Sequence, residues 1–242
     1  MSKNTVKFEN KGNVKMVAHR GVSGLELENT CPAFIAAGVK SYYGVETDVH
    51  VTADGKYIIA HDDDLRRIAG INAVIRESIF EDLRAVRLTD TDGKTKRADL
   101  FLPSLDEYLY ICKKYEKICI LELKEEMKED DIVGIANAVN AAEMFEKTVF
   151  ISFCGQNLVY LRKHFPTAVA QFLSCDTSEK TVSFILENGL DADIYHKVVD
   201  KDFVDLMHAN SRVVNVWTVD KIEDAERLRD CGVDMITSNI IE

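Results

Sequence analysis

Four apolar segments of the sequence end in side chains that could carry acid–base or phosphate chemistry. The residues are His19 and Arg20 after VKMVA, Glu46 and Asp48 within VETDVHV, His61 after IIA, and Glu122 and Lys124 at the end of ICILELK. Charged groups at the end of a buried strand are costly unless a site uses them. Histidine changes charge near neutral pH, so two histidines could supply a general acid and a general base.

The first pair of carboxylates has the spacing of a metal site. Glu46 and Asp48 are two residues apart in a strand-like segment, so their side chains project from one face about 7 Å apart along the chain. Two inward carboxylates repel and need a cation. The alternative is a solvent-facing pair, but Val45, Val49 and Val51 alternate on the other face and need burial themselves. Acidic oxygen ligands favour Mg²⁺ or Ca²⁺ over zinc.

The second pair combines a carboxylate with an ammonium. Glu122 and Lys124 are also two residues apart, and both can point into one site as a metal ligand and a phosphate-binding group. A surface Glu–Lys pair would explain these two residues equally well, and a histidine at a strand end is often structural. Taken together, a hard metal ion and two imidazoles suit the cleavage of a phosphodiester.

The elements that must bring these residues together alternate along the chain. Apolar runs typical of strands occur at 13–18, 42–51, 56–60, 117–123, 147–153, 167–173, 212–217 and 233–237, with a weaker candidate at 189–196. Helical spacing of apolar residues occurs at 104–116, 130–145, 155–165, 178–189, 200–211 and 220–232. This alternation predicts a parallel α/β fold, and a single (β/α)₈ barrel has the right size, with its site at the carboxyl ends of the strands. The spacing does not decide which strand candidate lies outside the barrel.

Two stretches depart from this alternation. Twelve residues separate Asp48 from His61, too few for a parallel crossover. We therefore predict a hairpin in which Asp54 and Gly55 form a two-residue turn and Asp48 lies opposite His61. Residues 62–103 are irregular and polar, and they form either an insertion over one face of the barrel or an ordinary polar excursion.

Composition limits the partners of the protein. The chain has 242 residues, enough for one large domain, and its net charge of −11 argues against binding to nucleic acid or to an anionic membrane. An anionic substrate must therefore meet a local positive pocket. No apolar run reaches the roughly 20 residues of a membrane span, and the segment MSKNTVKFENKGN lacks the apolar centre of a signal peptide.

The cysteines indicate a reducing compartment. The six cysteines show no C-x-x-C spacing and lie mostly in apolar segments, so we expect buried free thiols in a cytoplasmic protein without a stable membrane anchor. Helix faces such as EDAERLRD look solvated, but one exposed seam is enough for a homodimer, so the oligomeric state stays open.

An ordered series of motifs resembles the glycerophosphodiester phosphodiesterase family over nearly the whole chain. No single motif is diagnostic, but the series is specific in order and spacing. The motifs are HRG at 19–21, ENT at 28–30, E-x-D at 46–48, TADG at 52–55, HD at 61–62, LPSLDEYL at 102–109, E-x-K at 122–124, ISF at 151–153, VNVWTVD at 214–220 and GVDMIT at 232–237.

The resemblance implies a fold and a set of roles. The family has a distorted (β/α)₈ TIM barrel of the phospholipase C-like phosphodiesterase type with a small inserted segment, which would make 1–242 a single domain and 62–103 the insertion. Carried over by position, the metal ligands would be Glu46, Asp48 and Glu122, the acid–base pair His19 and His61, the phosphate clamp Arg20 and Lys124, and the aromatic wall of the pocket Trp217. A lone tryptophan at a strand end is also often plain packing.

The same resemblance implies the reaction. One divalent ion, Mg²⁺ or Ca²⁺, and the two cations would neutralise the phosphodiester while one histidine deprotonates the neighbouring glycerol hydroxyl and the other protonates the leaving alcohol. Water would then open the cyclic phosphate and give glycerol 3-phosphate. Glycerophosphocholine and glycerophosphoethanolamine are the expected small-molecule substrates.

Two departures and two alternatives accompany this expectation. The family usually has proline where this chain has Leu27, and after MIT it usually has Asp and then Pro, where this chain has Ser238-Asn239-Ile240. We expect neither departure to touch the metal ligands or the histidines.

A lipid phosphodiesterase of the lysophospholipase D or sphingomyelinase D type is one alternative function, although the sequence lacks an apolar anchor for a lipid interface. A non-catalytic phosphodiester-binding barrel is the other, although all seven polar positions are retained.

Overall fold

Eight parallel strands pair edge to edge into a closed ring in the computed structural model, which describes residues 4–242. The ring strands are β1 (Lys15–Ala18), β2 (Gly44–Val51), β4 (Ile118–Leu123), β5 (Thr148–Ser152), β6 (Val169–Ser174), β7 (Asp191–Tyr195), β8 (Val214–Trp217) and β9 (Met235–Ser238). A further strand, β3 (Tyr57–Ile59), pairs antiparallel with β2 outside the ring. Because β1 pairs with both β2 and β9, the barrel is closed and the predicted fold is confirmed.

Helices alternate with the ring strands. They are α1 (Cys31–Gly38), α2 (Arg66–Ala69), α3 (Phe80–Ala85), α4 (Leu105–Lys114), α5 (Glu129–Ala141), α6 (Gly155–His164), α7 (Glu179–Glu187), α8 (Lys201–Ala209) and α9 (Ile222–Cys231). The last six fall on the segments with helical spacing. Ser104 begins α4 with a capping box, in which its hydroxyl accepts from the Glu107 N–H and the Glu107 carboxylate accepts from the Ser104 N–H.

The short connection between β2 and β3 explains which strand lies outside the ring. The weaker candidate at 189–196 forms the ring strand β7, whereas 56–60 forms β3 outside the ring. Only five residues separate β2 from β3, so the chain can return antiparallel but cannot cross over to a parallel position.

The hairpin of β2 and β3 is present, but its predicted register is wrong by one residue. Val49 pairs with Ile59, so the ladder continues to Asp48 and Ala60, whose N–H donates to the Asp48 carbonyl at 3.1 Å. His61 lies one residue beyond this pair. Because side chains alternate between faces, the shift means that strand pairing does not orient His61 toward the site.

A longer loop explains the shifted register. The Thr52 N–H donates to the Lys56 carbonyl at 2.9 Å and closes a loop of three residues instead of two. Gly55 is the last of the three and has φ 73°, the left-handed conformation that this loop type requires. The Asp54 carboxylate accepts from the Thr52 hydroxyl at 2.7 Å and from the Phe80 N–H at 2.9 Å, which stabilises the longer loop.

Alternation along the strands separates two environments. On β2, Val45 and Val49 belong to the core between the ring and the helices, whereas Glu46 and Asp48 belong to a carboxylate cluster inside the ring. An apolar cluster also fills part of the ring interior; its buried members are Val17, Ile120, Ile151, Leu173 and Met235. The polar site therefore rests on a packed base.

Residues 62–103 pack against β3, the strand outside the ring. The segment contains α2, a short 3₁₀ helix at Ile75–Glu77 and α3. Its leucines, among them Leu65, Leu83 and Leu100, form a separate buried cluster with Ile58 of β3. Although the sequence of this segment is largely polar, its buried leucines form a small apolar core.

The state of the cysteines and the lack of a membrane-spanning segment were also predicted from the sequence. All six cysteines are free, as expected, but only Cys112 and Cys119 are buried and Cys175 is exposed. Among residues 4–242 we find no helix that combines the length and the apolar character needed to cross a bilayer.

Candidate active site

The predicted site residues meet at the carboxyl ends of the ring strands. A cavity of about 70 Å³ is lined there by His19, Arg20, Glu46, His61, Glu122 and Trp217, together with residues of the later strands. Asp48 and Lys124 complete the group, because Lys124 Nζ lies 2.9 Å from Glu122 Oε1 and 3.4 Å from Asp48 Oδ1. All eight residues singled out from the sequence are therefore in one place.

Three buried carboxylates form the centre of the site. Glu46, Asp48 and Glu122 each offer an oxygen, and these oxygens lie within 4.8 Å of one another. Asn29 Nδ2 donates to Asp48 Oδ2 at 2.7 Å, whereas Asp48 Oδ1 is buried and makes no hydrogen bond. A buried, unbonded carboxylate oxygen beside two further carboxylates fits a divalent cation with oxygen ligands.

The pKa values of these carboxyls reflect their crowding. Burial, followed by the charge of Asp48, raises the pKa of Glu46 well above its usual range and that of Glu122 to about 8. Burial would also raise the pKa of Asp48, but Lys124 and Arg20 outweigh it and hold that pKa well below its usual range. Arg20 and Lys124 therefore offset the burial of the Asp48 carboxylate but not that of Glu46 and Glu122.

Arg20 is held by its own backbone and by acidic neighbours. Its φ of 54° is left-handed, and its N–H donates to Glu46 Oε2 at 2.8 Å. Its Nη1 donates to Glu28 Oε1 at 2.9 Å, while its Nε lies 3.6 Å from Asp48 Oδ2 without a hydrogen bond. The guanidinium therefore has an unused donor in the site.

The two histidines have different partners. His19 Nδ1 donates to Asn239 Oδ1 at 2.7 Å, and its Nε2 lies 3.9 Å from Glu46 Oε2. His61 Nδ1 donates to the carboxylate of Asp62 at 2.7 Å. Burial, with Arg20 second, lowers the pKa of His19 to about 4. Burial also lowers the pKa of His61, although the Asp48 charge and the Asp62 hydrogen bond oppose it.

One expectation about the sequence departures is wrong. Asn239, in the segment that departs from the family pattern, contacts His19 directly. Its amide orientation follows from its neighbours, because Nδ2 donates to Asp220 Oδ2 at 2.6 Å and Oδ1 accepts from the Ser23 hydroxyl at 2.6 Å. Position 239 therefore sets the tautomer of His19 with a neutral amide.

Sequence reasoning missed several residues that orient the site. Asn29 lies within the ENT motif and binds Asp48, and Asp62 follows His61 in the HD motif, so both had a local signal. Asp193 had only a weak one, because it is one of two acids in the weaker strand candidate at 189–196. It lines the cavity, and burial, followed by the charge of Glu122, raises its pKa well above its usual range.

Aromatic rings form one wall of the cavity. The ring centroid of Trp217 lies 5.4 Å from that of Phe153 and 5.6 Å from that of Tyr195. Trp217 Nε1 donates to the Asp193 carbonyl at 3.2 Å, which fixes the indole. Trp217 thus lines the cavity and also packs against its neighbours.

A second group of potential ligands lies near the first. His50, Asp63 and Glu125 offer atoms within 4.8 Å of one another. Here Glu125 already has partners, because His50 Nδ1 lies 3.2 Å from Glu125 Oε1 and Arg76 Nη1 lies 3.6 Å from Glu125 Oε2. The cluster of Glu46, Asp48 and Glu122 is deeper and is the better cation site.

Three known proteins are similar to this chain in sequence or in fold. A glycerophosphodiester phosphodiesterase of Bacillus altitudinis is 25% identical over 228 residues, which cover 92% of this chain and 93% of that protein. The crystal structure of a glycerophosphodiester phosphodiesterase from Parabacteroides distasonis is 27% identical with a TM-score of 0.76 and covers 94% of this chain and 93% of that one. The structure of an Oleispira antarctica phosphodiesterase in complex with the product sn-glycerol-3-phosphate is 23% identical with a TM-score of 0.85, over 93% of this chain and 92% of that one.

The family assignment rests on the sequence match together with the barrel. The model of the glycerophosphoryl diester phosphodiesterase family matches residues 19–242, from the first site histidine to the end of the chain. This chain belongs to the glycerophosphoryl diester phosphodiesterase family.

Proposed function

We propose that this enzyme hydrolyses small glycerophosphodiesters to glycerol 3-phosphate and an alcohol with the help of one divalent metal ion. The observation that carries the proposal is the meeting of three carboxylates, two cations and two imidazoles in and directly beside one small cavity. The product seen with the Oleispira antarctica phosphodiesterase, sn-glycerol-3-phosphate, supports this choice of substrate.

Glu46, Asp48 and Glu122 would hold the metal ion. Their oxygen donors suit Mg²⁺ or Ca²⁺, and the unbonded Asp48 Oδ1 is an available ligand atom. When bound, such an ion supplies positive charge against the phosphodiester oxygens and favours loss of a proton from a hydroxyl. Arg20 and Lys124 supply the remaining positive charge as a phosphate clamp.

The partners of the histidines suggest which is the base and which is the acid. His19 donates through Nδ1 to a neutral amide and has a pKa lowered to about 4, so its Nε2 is free to accept the proton of the glycerol hydroxyl at neutral pH. His61 faces the carboxylate of Asp62, which stabilises its imidazolium, so it donates the proton to the leaving alcohol. The hydroxyl oxygen attacks phosphorus and the bond to the alcohol breaks, which leaves a cyclic phosphate.

The second step reverses these roles. His61 accepts a proton from water as the water oxygen attacks phosphorus, and His19 returns its proton to the glycerol oxygen as the ring opens. The products are glycerol 3-phosphate and a site restored to its starting protonation.

Wider assignments belong to the same proposal. We propose that 1–242 form one domain with 62–103 as its insertion, although residues 1–3 lie outside the described residues. A cytoplasmic location is supported by six cysteines without a disulfide, and a role in glycerol and lipid metabolism follows from the proposed substrates. A homodimer would be compatible with the helix faces.

The direct test is product release by the purified protein. We expect glycerol 3-phosphate from glycerophosphocholine and glycerophosphoethanolamine, loss of release with a chelator, and recovery with Mg²⁺ or Ca²⁺. His61→Ala should be nearly inactive, whereas the matched variant of the exposed His164, which bonds to Glu129 at 2.7 Å, should be fully active. No release with either metal would refute the proposal, and faster turnover of a lysophospholipid would favour the lipid phosphodiesterase alternative.

A further inference from the structure

Asp193 is a buried carboxyl of the cavity to which neither the family motifs nor the proposed mechanism gives a role. It lies on β7, is 1% exposed and lines the cavity together with His19 and Glu122. Its Oδ1 is buried and makes no hydrogen bond. Native proteins satisfy nearly all buried polar atoms, so an unbonded one at the wall of a substrate cavity points to a group that a ligand supplies.

The neighbouring strand places an amide beside this carboxyl. Asn215 on β8 is fully buried, and its side-chain oxygen accepts from the Val216 N–H at 2.9 Å and from the Thr237 hydroxyl at 3.3 Å. These bonds leave Nδ2 to face its strand partner Asp193, whose pKa it lowers, although neither Nδ2 nor Asp193 Oδ1 makes a hydrogen bond of normal length. A hydroxyl group that enters the cavity can donate to the Asp193 oxygen and complete its hydrogen bonding.

The size of the cavity limits the ligand. Its volume is about 70 Å³, several times the roughly 10–15 Å³ that one water needs. Ile151 and Leu173 line it as well, so carbon atoms between hydroxyl groups would meet apolar surface. A short polyol fragment fits this combination, and an acyl chain does not.

The position of Asp193 relative to the phosphate groups completes the argument. Arg20 and Asp193 line the same small cavity, so a phosphoryl group held by Arg20 has its attached fragment within reach of β7. We propose that Asp193 determines specificity by binding a free hydroxyl of the glycerol moiety, with Asn215 beside it. This inference rests on the proposed function.

The test compares two ligands that differ only in hydroxyl groups. Calorimetry with Mg²⁺ present should show that the wild type binds sn-glycerol 3-phosphate more tightly than n-propyl phosphate. Asp193→Leu should lower the affinity for glycerol 3-phosphate roughly 10- to 100-fold while keeping that for propyl phosphate, because only the former loses a hydrogen bond. Asp193→Asn should retain part of the preference.

Gln171→Met is the matched control. Gln171 is a fully buried polar residue on the neighbouring strand β6 that does not line the cavity, so its variant should keep the wild-type ratio of affinities. An unchanged ratio in folded Asp193→Leu, or equal binding of both ligands by the wild type, would overturn the inference and leave the proposed function standing. If the wild type binds neither phosphate compound, the proposed function fails and this inference fails with it.

Discussion

Replacing Asp62 by asparagine tests the assignment of His61 as the general acid. The Asp62 carboxylate accepts from His61 Nδ1 at 2.7 Å and from Arg67 Nε at 2.7 Å. An amide can still accept the His61 proton but carries no charge, and Arg67 keeps Glu28 as a partner at 2.7 Å. The substitution therefore removes mainly the charge that stabilises the imidazolium.

The sign and size of the effect follow from this contact. Burial already lowers the pKa of His61, and loss of the carboxylate lowers it further, so less of the acid form is present at any given pH above neutrality. A hydrogen bond between charged partners contributes about 1.5–3 kcal/mol. Because the two side chains are 32% and 29% exposed, we take the lower end, which corresponds to roughly a tenfold loss of rate.

The assay is the pH dependence of kcat/KM for glycerol 3-phosphate release. We expect the basic limb of the Asp62→Asn profile to move to lower pH, with roughly a tenfold loss above neutrality and little loss at acidic pH. Asp64→Asn is the control, because Asp64 pairs with Arg66 and does not contact His61. An unmoved basic limb, or a shift to higher pH, would refute the reasoning.

Three further predictions concern the metal and the fold. Glu46→Gln should lose activity and regain part of it at high Mg²⁺, since two carboxylates remain, and no recovery would remove Glu46 from the ligand set. Gly21→Ala should lower Tm more than Gly12→Ala, because φ is positive at both (77° and 58°) but only at Gly21 would a Cβ lie 2.6 Å from a backbone carbon of Ala33; equal shifts would contradict this. Metal-free protein should lose stability as pH rises from 4.5 to about 8, because folded Glu122 keeps a proton that the unfolded chain has released. Urea unfolding at each pH should show a steeper loss of stability without Mg²⁺ than with it, and equal slopes would contradict this.

The sequence is most informative where a periodic pattern places charged side chains on a face that is otherwise buried. Alternation along β2 placed Glu46 and Asp48 on one face and Val45 and Val49 on the other, and the structure has this arrangement. Helical spacing likewise placed the last six helices, α4 to α9, within a few residues, but it gave no range for α1, α2 or α3. Such patterns are local, so they can be interpreted without knowledge of the rest of the fold.

The errors have a different origin. The hairpin register depended on whether the loop has two or three residues, and an Asp-Gly pair is compatible with both lengths. The contact of Asn239 with His19 joins residues 220 positions apart, and no local pattern reports such a pair. Asp193 also had little local signal, because its burial at the cavity wall is apparent only once the barrel has closed around it.

The measurement that tests the central claim most directly is a crystal structure of the enzyme with Mn²⁺ and sn-glycerol 3-phosphate, with the ion located by anomalous scattering. We predict one ion bound by Glu46, Asp48 and Glu122, with the phosphate between Arg20 and Lys124. An ion bound only at His50, Asp63 and Glu125, or a phosphate bound away from the three carboxylates, would contradict the account.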